Sequence, residues 1–389
     1  LTATESRSLA LINATVYSGD EVSDDRAVVV ENGKITALAA DLDDGAFQGE
    51  IVDLSGLSLA PGLIDLQVNG GGDHLFNDSP SVETLHTIVG AHQRHGTTDL
   101  LATYITGPAA GMRLAAGAIL EAKKTDLPGL LGVHFEGPLL SVSCRGVHNA
   151  SFLRHHVDDG LLECLSPPAP SMPTMVTLAP ELAPPGFINA LATRGAVVSA
   201  GHTEADPEQI GAAVDEHLRA GTHVWNGMPP VRSRRPGPVA ALLSDSRIWC
   251  GYIADGHHLS PATLALSLAI KAPRRSILVS DAMPPVGGIR STFTLDGNEI
   301  TTDGGRCVTA DGQLAGAAAP LIDGVRRCVR DIGVPMDEAL RMATLYPAEC
   351  LGIQGRRGRI AAGYPAHLVA LDENIRAVAV VVAGEFHRL

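Results

Sequence analysis

Between Pro61 and Leu351 the chain repeats one pattern: a short apolar run, a polar turn, then an Ala/Leu-rich stretch with helical character. Eight runs are legible: Gly62 to Val68, Thr98 to Tyr104, Leu130 to Phe135, Met175 to Leu178, Ala196 to Ala200, Thr222 to Trp225, Ile248 to Ile253 and Ser276 to Ser280. Helical stretches such as Gly111 to Lys123, Pro207 to Ala220 and Pro261 to Ile270 lie between several of them. Eight strands with intervening helices predict an α/β chain folded as a (β/α)8 TIM-like barrel, in preference to an open doubly wound sheet.

The ends of the chain have another rhythm. Leu9 to Val16, Ala27 to Val30 and Lys34 to Leu38 read as short strands, the last two joined by the hairpin signal Asn32-Gly33. Near the other end, His367 to Leu371 and Val378 to Val382 are apolar runs separated by a polar turn. Termini often lie close together, so these segments are expected to form one small β-sandwich domain. The expected division is 1–60 with 352–389 for that domain and 61–351 for the barrel.

Charge and composition narrow the function. The 389 residues include 29 Lys and Arg against 43 Asp and Glu, a formal net charge of −14. Such a surface repels a polyanion, so no general nucleic-acid partner is expected. With 45% hydrophobic but only 4% aromatic residues, small aliphatic side chains must fill a large core. No apolar run approaches the 18 residues that span a bilayer, and Glu5, Arg7 and Asp20 do not suit a signal peptide. The expectation is a soluble cytoplasmic protein with no membrane partner. Six scattered cysteines form no C-x-x-C pair, so neither a disulfide framework nor a thiolate metal site is indicated.

The chemistry is sought where barrel strands end, because active sites of such barrels form at their C-terminal face. Strand one ends in Asp65-Leu66-Gln67-Val68-Asn69, strand three in His134-Phe135-Glu136, strand five in His202, strand six in His223 and strand eight in Asp281. A lone His at a strand end is ordinarily a hydrogen-bonded structural residue; five strands ending in ligand or proton-transfer types change that balance. Glu136, His202 and His223 are candidate ligands of one divalent cation with an open position for water. His134 competes as a ligand, and its reading as a core residue or a partner of the ligands is preferred. Asp281 is either a proton-transfer group or a helix N-cap.

These segments resemble the amidohydrolase superfamily and, within it, the N-acetylglucosamine-6-phosphate deacetylase family, over essentially the whole chain. The resemblance is carried by Pro61 to Gly70, His134-Phe135-Glu136-Gly137-Pro138, Ser199-Ala200-Gly201-His202-Thr203, Thr222 to Met228, Asp255-Gly256-His257-His258 and Ser280-Asp281-Ala282-Met283. Many amidohydrolases carry His-x-His at the end of strand one; here the position reads Asp65-Leu66-Gln67. Similarity to family members with that substitution implies a single metal on Glu136, His202 and His223, with Gln67 as a water-holding or supporting residue near the substrate. The resemblance further implies that His148 polarises the acetamide carbonyl, that Asn226 and Gly227 meet the sugar phosphate, and that His258 and Arg234 are its cationic contacts. The Arg-bearing loop of the family reaches a neighbouring subunit's site, implying a homodimer; in Arg232-Ser233-Arg234-Arg235 either Arg234 or Arg235 fills that role. Val142 to Arg145 departs from the lysine-containing loop often found before this His.

The implied reaction is metal-dependent deacetylation of N-acetyl-D-glucosamine 6-phosphate to D-glucosamine 6-phosphate and acetate, a step of amino-sugar catabolism or cell-wall recycling. Zinc suits two imidazoles and a carboxylate, as do iron, cobalt and manganese. Alternatives are the same reaction on N-acetylgalactosamine 6-phosphate, a noncatalytic sugar-phosphate binder, and a cyclic-amide hydrolase. The missing His-x-His and the absence of Lys from the strand runs speak against the last.

Overall fold

A computed structural model of the chain describes residues 8–24, 26–40, 47–158 and 160–389; Glu5 and Arg7 lie outside them. Eight parallel strands follow one another in chain order around a barrel: Leu63–Val68, Thr97–Ile105, Leu130–Glu136, Thr174–Leu178, Val197–Ala200, Ala220–Gly221, Trp249–Ile253 and Ser276–Val279. Nearly every residue of these strands is buried, as expected of strands covered by side-chain layers inside and helices outside. The helices start where sequence chemistry says they should. Ser81 accepts from the Thr84 N–H to cap Val82–Gln93, and Asp206 with Gln209 forms a capping box on Pro207–Asp215.

No ladder joins the first strand to the eighth, and the seam closes by other means. Val68 bridges Ala282, and the Asn69 N–H donates to Ala282 O at 2.9 Å. Deeper in the seam the fully buried Asp65 carboxylate accepts from the backbone N–H groups of Gln67 (3.1 Å) and Ser280 (3.2 Å). Burial pushes this carboxyl up to about 7.

The predicted eight strands correspond to those observed, with one correction. The sixth comprises only Ala220–Gly221, and Thr222 to Trp225 lies beyond it in a turn where His223 and Trp225 take φ of 30° and 89°. The β-rich composition of that run reflects a buried Val224 rather than strand pairing. The helix expected to reach Ala220 stops at Asp215, followed by His217 with φ 74°.

The terminal segments build two sheets. One contains Ser8–Ile12, Ala27–Glu31, Lys34–Ala39 and Glu50–Asp53; the other joins Thr15–Tyr17, Val22–Ser23 and Ser58–Pro61 to Leu368–Leu371, Ala377–Val382 and Glu385–Arg388. Leu9, Leu11, Val16, Leu59, Leu368 and Ala370 share the core between them, which makes a sandwich. The expected strand Leu9 to Val16 is therefore two strands in different sheets. Asn13 at φ 63° breaks it, its side chain donating to Asp53 Oδ1 at 3.0 Å. The Asn32-Gly33 turn has both residues at positive φ, 51° and 77°, as a two-residue hairpin requires.

Period-two alternation makes the six-stranded sheet a shared wall: Leu368 and Ala370 face the sandwich core, while Val369 and Leu371 face the barrel's. A buried polar cluster sits beside that wall. Asp99, at the start of the second barrel strand, lies 3.0 Å from Arg357 Nε and 3.1 Å from His367 Nδ1.

A third sheet of at least four strands outside the barrel, this one antiparallel throughout, contains Thr292–Leu295, Asn298–Asp303, Arg306–Thr309 and Leu314–Ala317 and was not expected from the apolar pattern. Its strands are short and largely polar, and the turn signals Asp296-Gly297, Gly304-Gly305 and Asp311-Gly312 are its clearest trace in the sequence.

Burial alone would raise the Asp99 carboxyl, but His367 and Arg357 outweigh it and hold the group below the usual carboxylate range. Asp99→Asn is expected to cost about 3–5 kcal/mol at neutral pH, the cost of breaking a buried ion pair from one side. A carboxyl depressed in the folded state stabilises above its unfolded pKa and loses that contribution as pH falls. The gap between wild type and variant, measured by urea denaturation, should therefore shrink on acidification below about pH 4.

Candidate active site

The strand ends place their polar side chains around one point. Glu136 ends the third strand, His202 follows the fifth at φ 48°, and His223 lies just beyond the sixth. His223 Nε2 is 3.0 Å from Glu136 Oε1 and 3.1 Å from His202 Nε2, and the His202 Nε2–Glu136 Oε1 distance is 3.4 Å. His202 donates its Nδ1 proton to Cys144 O at 2.7 Å, so in the neutral ring Nε2 presents a lone pair to the others. Burial alone would raise the Glu136 carboxyl, but the imidazoles of His202 and His223 outweigh it and hold it well below the usual range.

Donors about 2.0–2.1 Å from a tetrahedral ion stand about 3.3 Å apart, which matches all three separations. A looser triplet, Glu136, His148 and His202, also brings ligand atoms within 4.8 Å of one another. His148 is thus the outer member of a four-residue cluster. Its ring packs edge-on to His202 with centroids 4.5 Å apart, and its Nδ1 is buried with no partner among the described residues. Burial, followed by neighbouring His202, lowers its pKa to about 3, so this imidazole is neutral at working pH.

Asp281 approaches from the eighth strand at φ 53°. Gln67 Nε2 donates to Asp281 Oδ1 and to Glu136 Oε1, both at 3.1 Å, and Asn69 Nδ2 donates to the same Asp281 oxygen at 2.7 Å. Burial, and then the Glu136 charge, raises the Asp281 carboxyl. No helix starts here, since the chain turns through Ala282 to Gly288 into the third sheet; Asp281 is not an N-cap. His134 lies fully buried, with Nδ1 3.3 Å from Thr103 Oγ1 and Nε2 2.8 Å from Thr177 Oγ1. Both its nitrogens are spoken for, in keeping with a core residue.

A pocket of about 260 Å³ opens over the cluster. Asn226, Gly227 and His258 line one side, and His258 is oriented by an Nδ1–Asp255 Oδ2 contact of 2.7 Å. The third sheet contributes the roof through Leu295, Leu314, Ala315 and Gly316. Arg234 and Arg235 are exposed and do not line this pocket within one chain. Cys144 meets the site through its carbonyl; burial pushes its thiol pKa up, away from thiolate reactivity.

The amidohydrolase family pattern matches residues 58–386. The chain belongs to the amidohydrolase family. An N-acetylglucosamine-6-phosphate deacetylase of Haemophilus influenzae is 32% identical over 97% of this chain and 98% of its own. An N-acetylgalactosamine-6-phosphate deacetylase of Shewanella sp. (strain ANA-3) is 35% identical over 96% of this chain and 94% of its own. The solved structure of the N-acetylglucosamine-6-phosphate deacetylase from Pasteurella multocida superimposes with a TM-score of 0.92 at 32% identity, covering 98% of this chain and all of that one. The Mycobacterium smegmatis enzyme of the same name gives 0.87 at 30% identity, with 98% and 99% covered.

In this amidohydrolase neither strand-one position is left to bind an ion as an imidazole would. Asp65 is turned into the seam, and the Gln67 amide is occupied as a donor to two carboxylates. Asn69 and Asp255 stand in the quoted strand-end and family segments without an assigned role. Their signal was a polar residue at a strand end, and each acts on a neighbour, Asn69 on Asp281 and Asp255 on His258. The roof residues carried no chemical signal.

Gly227 has φ 60°, and a Cβ there would lie 2.7 Å from His202 Nδ1 and 3.1 Å from Cys144 O. In this amidohydrolase Gly227→Ala is expected to push the His202 ring from its place. Bound metal per chain, measured by elemental analysis, should fall, and turnover should drop at least about tenfold, the effect of some 1.4 kcal/mol.

Proposed function

We propose that this chain hydrolyses the acetamide of N-acetyl-D-glucosamine 6-phosphate to D-glucosamine 6-phosphate and acetate. The observation that carries this reading is the tight Glu136–His202–His223 triplet, with Asp281 joined to it through Gln67 under a sugar-sized pocket. Glu136, His202 and His223 would hold one divalent cation, zinc or alternatively iron, cobalt or manganese. When bound, that ion supplies Lewis acidity and a water acidic enough to attack near neutral pH.

The protein's own groups then have separate tasks. Asp281 Oδ1 is engaged by Gln67 and Asn69, which leaves Oδ2 to take the proton from the attacking water. The same oxygen returns the proton to the departing nitrogen as the C–N bond breaks, and its raised proton affinity suits both halves of the exchange. His148, neutral, donates a ring N–H to the carbonyl oxygen and stabilises the oxyanion by hydrogen bonding rather than by a cationic charge. Asn226, Gly227 and His258 hold the sugar phosphate, so attack is effectively intramolecular. Arg234, or Arg235 in its place, completes the phosphate contact from a neighbouring copy in a homodimer. Six unpaired cysteines support a reducing, cytoplasmic setting.

The Shewanella relative favours a second reading, the same hydrolysis on the galacto epimer. Acetate release from both sugar phosphates, assayed side by side on metal-quantified protein, separates the two. Release from neither would overturn both readings.

Asp281→Asn is expected to keep its metal and lose at least about 10²-fold in kcat; near-normal turnover removes Asp281 from the proton path. Mixing inactive Asp281→Asn chains with weak Arg234→Ala chains should restore part of the activity if the phosphate contact crosses subunits. An unchanged rate in the mixture, with subunit exchange verified, would argue for sites built from one chain.

A further inference from the structure

A second cavity, of about 390 Å³, adjoins the catalytic pocket, and the two share Gly146, Val147, Leu295 and Gln313 as a common wall. The roof sheet supplies most of this annex, so it exists because of the insertion between the eighth barrel strand and the helix Leu321–Arg327. The proposed reaction does not use it.

Its chemistry is mixed. Ile300 and Leu295 give a buried apolar floor, while Arg145, Asn298, Glu299 and Asp311 stand around it. Arg145 donates from Nη1 to His148 O at 2.9 Å and has no carboxylate partner among the described residues, so its other N–H groups are free. One guanidinium against two carboxylates gives no excess of positive charge, which disfavours a second phosphate or a carboxylate-bearing substituent. Interspersed donors and acceptors over an aliphatic floor suit a neutral group rich in hydroxyls, each able to donate and accept.

We infer that the annex is a subsite for a neutral sugar unit joined to the phosphorylated amino sugar, so that the enzyme deacetylates disaccharide 6-phosphates as well as the monosaccharide. This rests on the deacetylase reading above and extends its substrate class. The chemistry is unchanged: water adds to the acetyl carbon, the C–N bond breaks, and the nitrogen leaves protonated with acetate as the second product.

The test compares N-acetylglucosamine 6-phosphate with two disaccharides, in which a neutral hexose is joined to that unit at the anomeric oxygen or at O4. Metal-loaded enzyme is assayed by acetate release. At least one disaccharide is expected to be turned over with kcat/KM no lower than the monosaccharide's. Asn298→Ala and Glu299→Ala should each lower kcat/KM for that disaccharide about tenfold, the loss of one hydrogen bond of about 1.4 kcal/mol, and leave the monosaccharide unaffected. Turnover of the monosaccharide with none of either disaccharide overturns the annex alone. Equal losses on both substrates in the two variants also overturn it. No turnover of the monosaccharide overturns the deacetylase reading on which the annex rests.

Discussion

Two carboxyl groups, Glu136 and Asp281, are buried within reach of a single amide, and the rest of the site depends on how their repulsion is managed. Like charges at such separation do not both ionise without compensation. Gln67 answers with one Nε2 that donates to each carboxylate at 3.1 Å, holding them apart without adding charge. Their surroundings then split them. Imidazoles flank Glu136 and keep it ionised, whereas Asp281 is left with burial and the Glu136 charge, which favour its protonated form. Two carboxyls pushed in opposite directions are what a ligand and a proton carrier require. An imidazole at position 67 would bring another metal-type donor to this point; the amide makes the position a spacer.

The barrel makes this arrangement affordable. Glu136, Gln67 and Asp281 come from the third, first and eighth strands, and only a closed sheet brings those ends together. The seam that permits it is held at its upper end by backbone bonds to Ala282 and, two residues before Gln67, by the Asp65 side chain, which accepts from Ser280 N across the gap. Residues 65 and 67 point to the same side of the strand and serve different layers. The upper one sets the charge pattern of the site; the lower one fixes the distance between the strands that carry it. The roof sheet adds the third dimension, enclosing the cluster with backbone and small aliphatic groups from Leu314 to Gly316.

What the sequence made legible follows from the range of the interactions involved. Glu136, His202, His223 and Asp281 could be found because each ends an apolar run, a local signal that the barrel converts into convergence. Gln67 could be noticed by the same rule, but its function as a shared donor depends on residues 69 and 214 positions away. The contact that orients His202 runs to a backbone carbonyl at Cys144, and no side-chain pattern can announce a carbonyl. The sixth strand was misplaced because Val224 and Trp225 pack like strand residues while the backbone has already turned. The roof escaped because polar, half-exposed hairpins lack the hydrophobic period on which strand reading relies. Only their Gly-containing turns identify them.

The acidic balance of the chain acquires a local meaning at the pocket. A net charge of −14 disfavours polyanions, yet a sugar phosphate is itself a dianion near neutral pH. Among the described residues the pocket wall has no Lys or Arg, and His148 is neutral, so on the proposed reading one chain offers the phosphate only the Asn226 amide and His258 as side-chain partners. Asp255 already engages His258 through Nδ1, and the same ring lines the pocket. On that reading permanent positive charge comes from outside the wall, from a cation at the triplet for the carbonyl and from a further basic group for the phosphate. The exposed Arg232–Arg235 segment is a concentrated source of such groups, and none of its residues lines the pocket of its own chain. Basic groups that are exposed but do not line their own pocket are the physical reason for the proposal that the phosphate contact crosses between two chains.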